Sequence, residues 1–279
     1  LAQPLFSLEA AMTNNTSVFA GNIPEHYDEG LGPVLFVEYA EDIARRVAAY
    51  APKRVLETAA GTGIVSRRIK DALPDAEITA TDLNAPMLER AAAKFKRGEA
   101  IEFRPADATA LPFADGEFDA VVCQFGVMFY PDKETSYREA HRALRARGRY
   151  LFSVWDSHKH NPFGRIAHEI ACSFFPVDPP QFYQVPFGYS SIDPIKEALI
   201  AAGFDDLKIA VVGKEKKIAD VAALARGMVL GNPLIDQIKA RGGVDPDRVV
   251  EAAQQRLQRE FGERPMPLQA IVFDARKAG

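Results

Sequence analysis

Between residues 53 and 155 the chain alternates short, almost wholly apolar runs with segments of helical periodicity. The apolar runs fall at about 53–58, 76–81, 100–104, 118–123 and 149–155. A strand that is apolar on both faces needs cover on both faces, which parallel strands joined by right-handed helical crossovers provide. The pattern therefore predicts an open, doubly wound, Rossmann-like α/β sheet with its ligand beyond the carboxyl ends of the strands. Two later apolar runs, at about 207–212 and 267–275, bring the strand count to seven. Before the sheet, Leu31 to Tyr50 reads as an amphipathic helix stopped by Pro52. Further helices are expected from Gly63 to about Leu73, Pro86 to Lys96, Lys133 to Ala146 and Ser191 to Ala202. Residues 219–262 read as helices broken at Gly231-Asn232-Pro233 and Gly242-Gly243, a helical insertion between the last two strands.

Composition narrows the class. With 279 residues, 47% hydrophobic and 26% charged, the chain has enough apolar material for a full core and is neither fibrous nor disordered. No apolar run approaches the roughly 18–20 residues of a membrane span. A net charge of −4 argues against a general binder of nucleic-acid backbones. The two cysteines, Cys123 and Cys172, make no disulfide framework, so a reducing, cytoplasmic setting is expected. Residues 1–11 read as an expression remnant, residues 12–52 as an N-terminal helical cap and residues 53–279 as the α/β domain.

The run Val55-Leu56-Glu57-Thr58-Ala59-Ala60-Gly61-Thr62-Gly63 takes a strand through a carboxylate into a tight turn and a helix. Small residues there let a ligand approach the backbone closely. Asp82, nineteen residues past Gly63, ends the next strand beside that turn, where it can accept both hydroxyl protons of a ribose. Alone, a glycine turn is equally a plain strand–helix junction; the paired acid points to a nucleoside cofactor. A dinucleotide site wants a third glycine where Ser66 stands, and Glu57 would repel its pyrophosphate. The same carboxylate suits the ammonium of S-adenosylmethionine (SAM), which carries no phosphate.

Taken in order, these motifs resemble the class I SAM-dependent methyltransferases, in the group that includes the ubiquinone/menaquinone-biosynthesis-type (methyltransferase type 11-like) enzymes. Glu57 to Gly63 is similar to that family's acidic glycine-rich motif, and Asp82-Leu83 to its ribose acid and following apolar residue. Arg104 to Phe113, with Asp107-Ala108, resembles the adenine segment. Phe118-Asp119 through Gln124-Phe125-Gly126 resembles the fourth-strand motif beside the methyl group, and Leu144 to Leu151 the entry to strand five. The resemblance implies a last strand running antiparallel, SAM as cofactor with S-adenosylhomocysteine (SAH) as product, and Glu57, Ala59, Gly61, Gly63, Asp82, Leu83, Asp107, Ala108, Gln124 and Phe125 as cofactor residues. Ala59 departs from the family, which usually has glycine there. The segment Phe19 to Phe36 and the helix after it resemble the group's N-terminal cap.

Methyl transfer from a sulfonium is an in-line displacement, in which holding the partners in line contributes up to roughly 7–11 kcal/mol. A base is needed only where the acceptor must lose a proton. His26, Tyr27, Tyr130, His158 and His160 are the candidates for a base or orienting group, foremost Tyr27, His26 and His158. The aromatic stretch 152–189 offers Trp155, Phe163, Phe182, Tyr183 and Phe187 as an apolar acceptor pocket, with Tyr27 from the cap; packing of strand five is the alternative. That favours a small apolar or aromatic acceptor over a nucleic acid, protein or membrane partner, for either a monomer or a homodimer. No metal site is expected: His158, His160 and His168 lack a completing ligand. Cys123 reads as a core thiol, and the arginines from 138 to 149 as a solvated helix face. The competing readings are an NAD(P)-dependent oxidoreductase and a SAM-binding protein without catalysis.

Overall fold

The computed structural model describes Phe19 and residues 21–279; the expected remnant at 1–11 and the first residues of the cap lie outside the described residues. The chain enters through α1 (Ile23–His26), a wide-wound helical segment (Tyr27–Phe36) and α2 (Val37–Ala48). Then follow β1 (Arg54–Glu57), α3 (Ile64–Ala72), β2 (Glu77–Asp82), α4 (Ala85–Ala92), β3 (Ile101–Pro105) and β4 (Phe118–Gln124). After them come α5 (Lys133–Ala143), β5 (Leu144–Trp155), α6 (Pro162–Phe174), α7 (Gln184–Phe187), α8 (Ile192–Ala201) and β6 (Phe204–Lys216). The chain closes with α9 (Val221–Leu230), α10 (Leu234–Arg241), α11 (Pro246–Phe261) and β7 (Met266–Lys277).

The strands form one seven-stranded sheet in the order β3-β2-β1-β4-β5-β7-β6. β1 to β5 pair in parallel, and β7 runs antiparallel to both β5 and β6. β1 pairs with β2 on one side and β4 on the other, Val55 lying opposite Ile78 and Ala120. The two crossovers diverge from β1, so a crevice opens beyond its carboxyl end. Burial of Val55, Leu56, Val121, Val122, Cys123 and Phe152, each essentially without exposure, holds the strands between helical layers. Each large apolar side chain of this kind stabilises the fold by about 1.5–3 kcal/mol.

Three elements differ from the sequence expectation. The helix before β5 stops at Ala143, and β5 starts at Leu144 with an irregular stretch through Arg145–Gly148. Arg147 takes φ 64 there, and the run of arginines hid a strand that has no apolar alternation. β6 is longer than expected because Lys214, Glu215 and Lys216 continue its pairing with Leu268, Pro267 and Met266 of β7, beyond the apolar run that marks the strand in sequence. The helix expected at 31–50 begins at Ile23 and widens from Tyr27 to Phe36, with the Val37 N–H donating to the Gly32 carbonyl five residues back. Pro33, inside this stretch, has no N–H to give.

Gly30 explains where that wide segment goes. A Cβ on Gly30 would stand 2.5 Å from the Ala223 carbonyl oxygen and 2.9 Å from Gly227 Cα. The N-terminal segment and α9 thus cross in backbone contact, so the cap and the insertion between β6 and β7 pack as one roof over the sheet edge. No helix of the described residues is long and apolar enough to cross a membrane.

Candidate active site

Glu57, Asp82 and Gln124 end three adjacent strands, which brings the loops after β1, β2 and β4 to one crevice. The loop after β1 turns through three left-handed residues, Ala59 at φ 51, Gly61 at φ 54 and Gly63 at φ 74. Glycine takes this conformation freely, whereas Ala59 bears a cost of about 1–2 kcal/mol. The Asp82 carboxylate fastens the turn: it accepts from the Gly61 N–H at 2.9 Å and from the Asn84 N–H at 2.8 Å. Burial pushes the Asp82 carboxyl above its ordinary value, while these hydrogen bonds oppose the shift. Phe125 after β4 also stands at positive φ, 55, and stacks on Trp155 with centroids 3.9 Å apart and planes 6° from parallel.

One cavity runs along this edge. Ala59, Gly61, Asp82, Leu83, Asp107, Ala108, Gln124 and Phe125 line it at the end near the glycine turn. Tyr27, Trp155, Phe163, Phe182, Tyr183 and Phe187 line the aromatic remainder. The expected cofactor and acceptor residues therefore share a wall, with two exceptions. Glu57 lies beneath the turn, 2% exposed, where it accepts from the Ser66 hydroxyl. Burial pushes its carboxyl up to about 8. Gly63 serves packing: a Cβ there would come within 2.8 Å of the Ala91 methyl on α4.

The histidine candidates do not reach the cavity lining. His26 borders a separate surface hollow beside Lys239 and Asp245. His158 holds the Tyr183 carbonyl at 3.1 Å and packs on the outer side of Phe187, with burial lowering its pKa. Tyr130 does line the cavity, its hydroxyl donating to Thr58 Oγ1 at 3.1 Å and lying 3.3 Å from Cys123 Sγ. Cys123 is buried behind it, which raises the thiol pKa. Among the described residues no group of three or more His, Cys, Asp and Glu is arranged to hold a metal ion.

Several wall residues escaped the sequence reading, notably Phe36, Leu31, Leu35, Phe129 and Asn232. Nine residues on an α-helix are about two and a half turns, which would put Tyr27 and Phe36 on opposite sides. The wider winding returns them to one side, where their rings stack at 4.9 Å. Gln124 Nε2 then donates to the Phe36 carbonyl at 3.2 Å, tying the cap to β4. Asp28 makes a second tie: it accepts from Thr62 Oγ1 at 2.7 Å, from Arg90 at 3.3 Å and from Lys94.

The wall has a charge pattern that discriminates between cofactors. Asp82 and Asp107 are its charged side chains, and its described lining contains no Lys, Arg or His. A pyrophosphate would meet two carboxylates and no cation, whereas a nucleoside carrying a sulfonium and an ammonium fits. Residues 55–148 match the family model for a methyltransferase domain. The demethylmenaquinone methyltransferase of Thermus thermophilus is 39% identical over 117 residues, 42% of this chain and 53% of that protein. The likeness to a SAM-dependent methyltransferase domain lies in residues 55–148. The chain spans about half the length of the curated relatives it matches.

Solved structures agree on the fold of this methyltransferase domain and its surroundings. The YcgJ protein of Bacillus subtilis superposes with a TM-score of 0.57 at 18% identity, over 87% of this chain and 99% of that one. Phosphoethanolamine N-methyltransferase 2 of Haemonchus contortus, solved with SAM, gives 0.57 at 17% identity over 92% of this chain and 57% of that one. Within such a domain, SAM supplies a methyl group already activated on sulfur. Gly61, Asp82 and Asp107 line the cavity.

Proposed function

We propose that the chain transfers the methyl group of SAM to a small, apolar or aromatic acceptor by in-line displacement, in the cytoplasm. The observation that carries this reading is that one cavity is lined both by Gly61, Asp82 and Asp107 and by Trp155, Phe163, Phe182, Tyr183 and Phe187. Ala59, Gly61, Asp82, Leu83, Asp107 and Ala108 hold the nucleoside in this reading, and Gln124 and Phe125 flank the methyl position. Glu57 supports the turn from beneath. Trp155, Phe163, Phe182, Tyr183, Phe187 and Tyr27 hold the acceptor and exclude water. Relatives named for demethylmenaquinone support a ring-bearing apolar acceptor.

The experiment is a calorimetric titration with SAH, with NADH and NADPH as controls, followed by transfer of labelled methyl from SAM to a panel of amine, phenol, thiol and quinol acceptors. Saturable binding of SAH alone, with label transferred, supports the proposal. Binding of a nicotinamide cofactor in place of SAH refutes it. Binding of SAH without transfer to any acceptor turns the reading to a SAM-binding protein without catalysis.

A further inference from the structure

Phe182, Tyr183, Pro186 and Phe187 of the cavity wall all come from one short stretch at α7. A helix of a single turn is not stable by itself, so α7 stands where its neighbours fix it. On the side of the roof, the Tyr183 hydroxyl donates to the Met228 carbonyl at 2.8 Å and accepts from Asn232 at 3.1 Å. Gln237 Oε1 accepts there from the Gln181 and Phe182 N–H groups. On the side of the sheet, the Phe187 ring lies against Gly164 of α6, where a Cβ would come within 2.2 Å of it. That contact is apolar and non-directional. The directed ties on this side come from two histidines that methyl transfer leaves without a task, His158 in the loop after β5 and His168 on α6.

His158 Nε2 meets the Tyr183 carbonyl at 3.1 Å, and its ring packs on Phe187 with centroids 4.5 Å apart. A carbonyl only accepts, so this ring carries its proton on Nε2. His168 Nε2 lies 2.7 Å from the Gln184 amide nitrogen, a donor, and 3.6 Å from Cys172 Sγ, so it is the bare, accepting nitrogen of its ring. The two rings face each other 6.0 Å apart and 24° from parallel. Burial lowers the pKa of both, and the charge of His168 adds to the shift of His158. The other charges acting on His158 are Arg165 and Glu169 of α6, paired with each other at 2.9 Å and backed by Glu260 and Arg256 of α11. Gln184 to Phe187 of α7 bring no charge, and burial raises the Cys172 thiol, which stays neutral. In the loop itself Lys159 is exposed, and the Asp156 carboxylate is turned to Gln269 and the Ser157 N–H. Neutral, each ring makes the bond its position asks of it. Charged together, the rings repel across 6.0 Å, and His168 Nε2 presents an N–H to the amide donor of Gln184.

We propose that His158, paired with His168, is a positioning residue that holds α7 to the sheet edge and so places Tyr183 and Phe187 in the cavity wall; the use of that wall for an acceptor rests on the methyl-transfer reading above. His158 acts through α7 and touches no reacting atom. The hold is that of a neutral pair. It is complete above the ordinary histidine value of about 6.5 and is lost as pH falls below it, because an unfolded histidine takes up a proton there that the buried pair resists.

Trp155 is the chain's single tryptophan, 4% exposed, with the Phe187 ring 6.4 Å from its own. Displacement of α7 opens it to solvent, so quenching of its fluorescence by acrylamide reads the hold of His158 without any ligand. Four full-length proteins are compared between about pH 7.5 and about pH 5.5. They are the parent, His158→Ala, His158→Gln, whose amide nitrogen can still donate to the Tyr183 carbonyl, and His160→Gln as the control from the same loop. At the higher pH the quenching constant is expected to be at least about twofold larger in His158→Ala than in the parent, and His158→Gln to remove at least about half of that increase. Toward the lower pH the constant should rise in the parent and in His160→Gln and stay level in His158→Gln. Parent-like quenching in His158→Ala overturns the proposal, as does a parent constant that ignores pH or a rise kept in full by His158→Gln. Where His158→Ala does not fold, the pH comparison of the parent with His158→Gln decides. Calorimetry of the parent with SAH is run separately: absence of binding there overturns the methyl-transfer reading and leaves the quenching result to judge His158.

Discussion

The methyl of Ala59 occupies the space that Gly126 leaves open across the cavity edge: a Cβ on Gly126 would lie 2.5 Å from Ala59 Cβ and 2.7 Å from Cys123 Sγ. The departure from glycine at 59 is thus matched by a glycine at 126. Gly126→Ala is expected to destabilise the fold by about 1–3 kcal/mol, the usual range for overpacking. Thermal unfolding checks this. Adding Ala59→Gly to that variant should recover part of the loss but not all, because the Cys123 contact remains; a strictly additive pair would contradict the match.

Asp82 holds the Gly61 and Asn84 amides and also faces the cavity. Asp82→Ala leaves both N–H groups without their acceptor, a cost of about 1–3 kcal/mol in stability. In the proposed cofactor role Asp82 also holds the ribose, so SAH affinity should fall by at least about tenfold, equivalent to about 1.4 kcal/mol. Calorimetry on the folded variant separates the two effects, and unchanged SAH affinity would remove Asp82 from the cofactor site.

Asp28 fastens the cap to the glycine turn through Thr62 and to α4 through Arg90 and Lys94. Burial alone would raise its pKa, but hydrogen bonds from Lys94 and Thr62 prevail and hold the carboxyl below its ordinary value. Its contribution to stability is therefore present above the ordinary carboxylate range and lost as pH falls through the lowered value. Asp28→Asn should lower stability by about 1–2 kcal/mol at neutral pH and speed dissociation of SAH in a stopped-flow displacement. An unchanged SAH off-rate would show that the cap does not gate the site.

Glu57 gives the opposite pH signature. An unfolded glutamate ionises near 4.5, whereas the buried Glu57 carboxyl keeps its proton up to about 8. The folded chain binds the extra proton between those values, so this contribution is full below 4.5 and disappears as pH rises through 8. The loss approaches about 1.4 kcal/mol per pH unit inside that window. Glu57→Gln can still accept from Ser66 and has no proton to lose, so its melting temperature should fall less between pH 5 and 8 than that of the parent chain. Parallel curves for the two proteins would refute the assignment.

The sheet was legible because each strand from β1 to β5 carries its own apolar signal, and because the carboxylates at 57 and 82 mark strand ends. That Gly61, Asp82 and Asp107 meet at one cavity was legible because each sits at or just past the carboxyl end of a strand. What was hidden lay where one residue's role depends on another distant in sequence. Glu57 reads as a ligand-facing acid until Ser66 is seen to cover it, and Gly63 as a cofactor glycine until Ala91 is placed against it. Phe36 was missed because α-helical periodicity assigns it the wrong side, and only the wide winding from Tyr27 reverses that. His26 and His158 were attractive for their chemistry alone; their positions behind the roof and behind Phe187 follow from packing that periodicity does not encode.

The backbone contact of Gly30 with Gly227 joins two stretches of chain that stand on either side of the segment matching the methyltransferase family model. The family match thus covers much of the floor of the cavity, while the stretches that form its ceiling lie before and after it in the chain. A side chain placed at either glycine would enter this crossing, so the stretches 23–48 and 221–261 are constrained to change together.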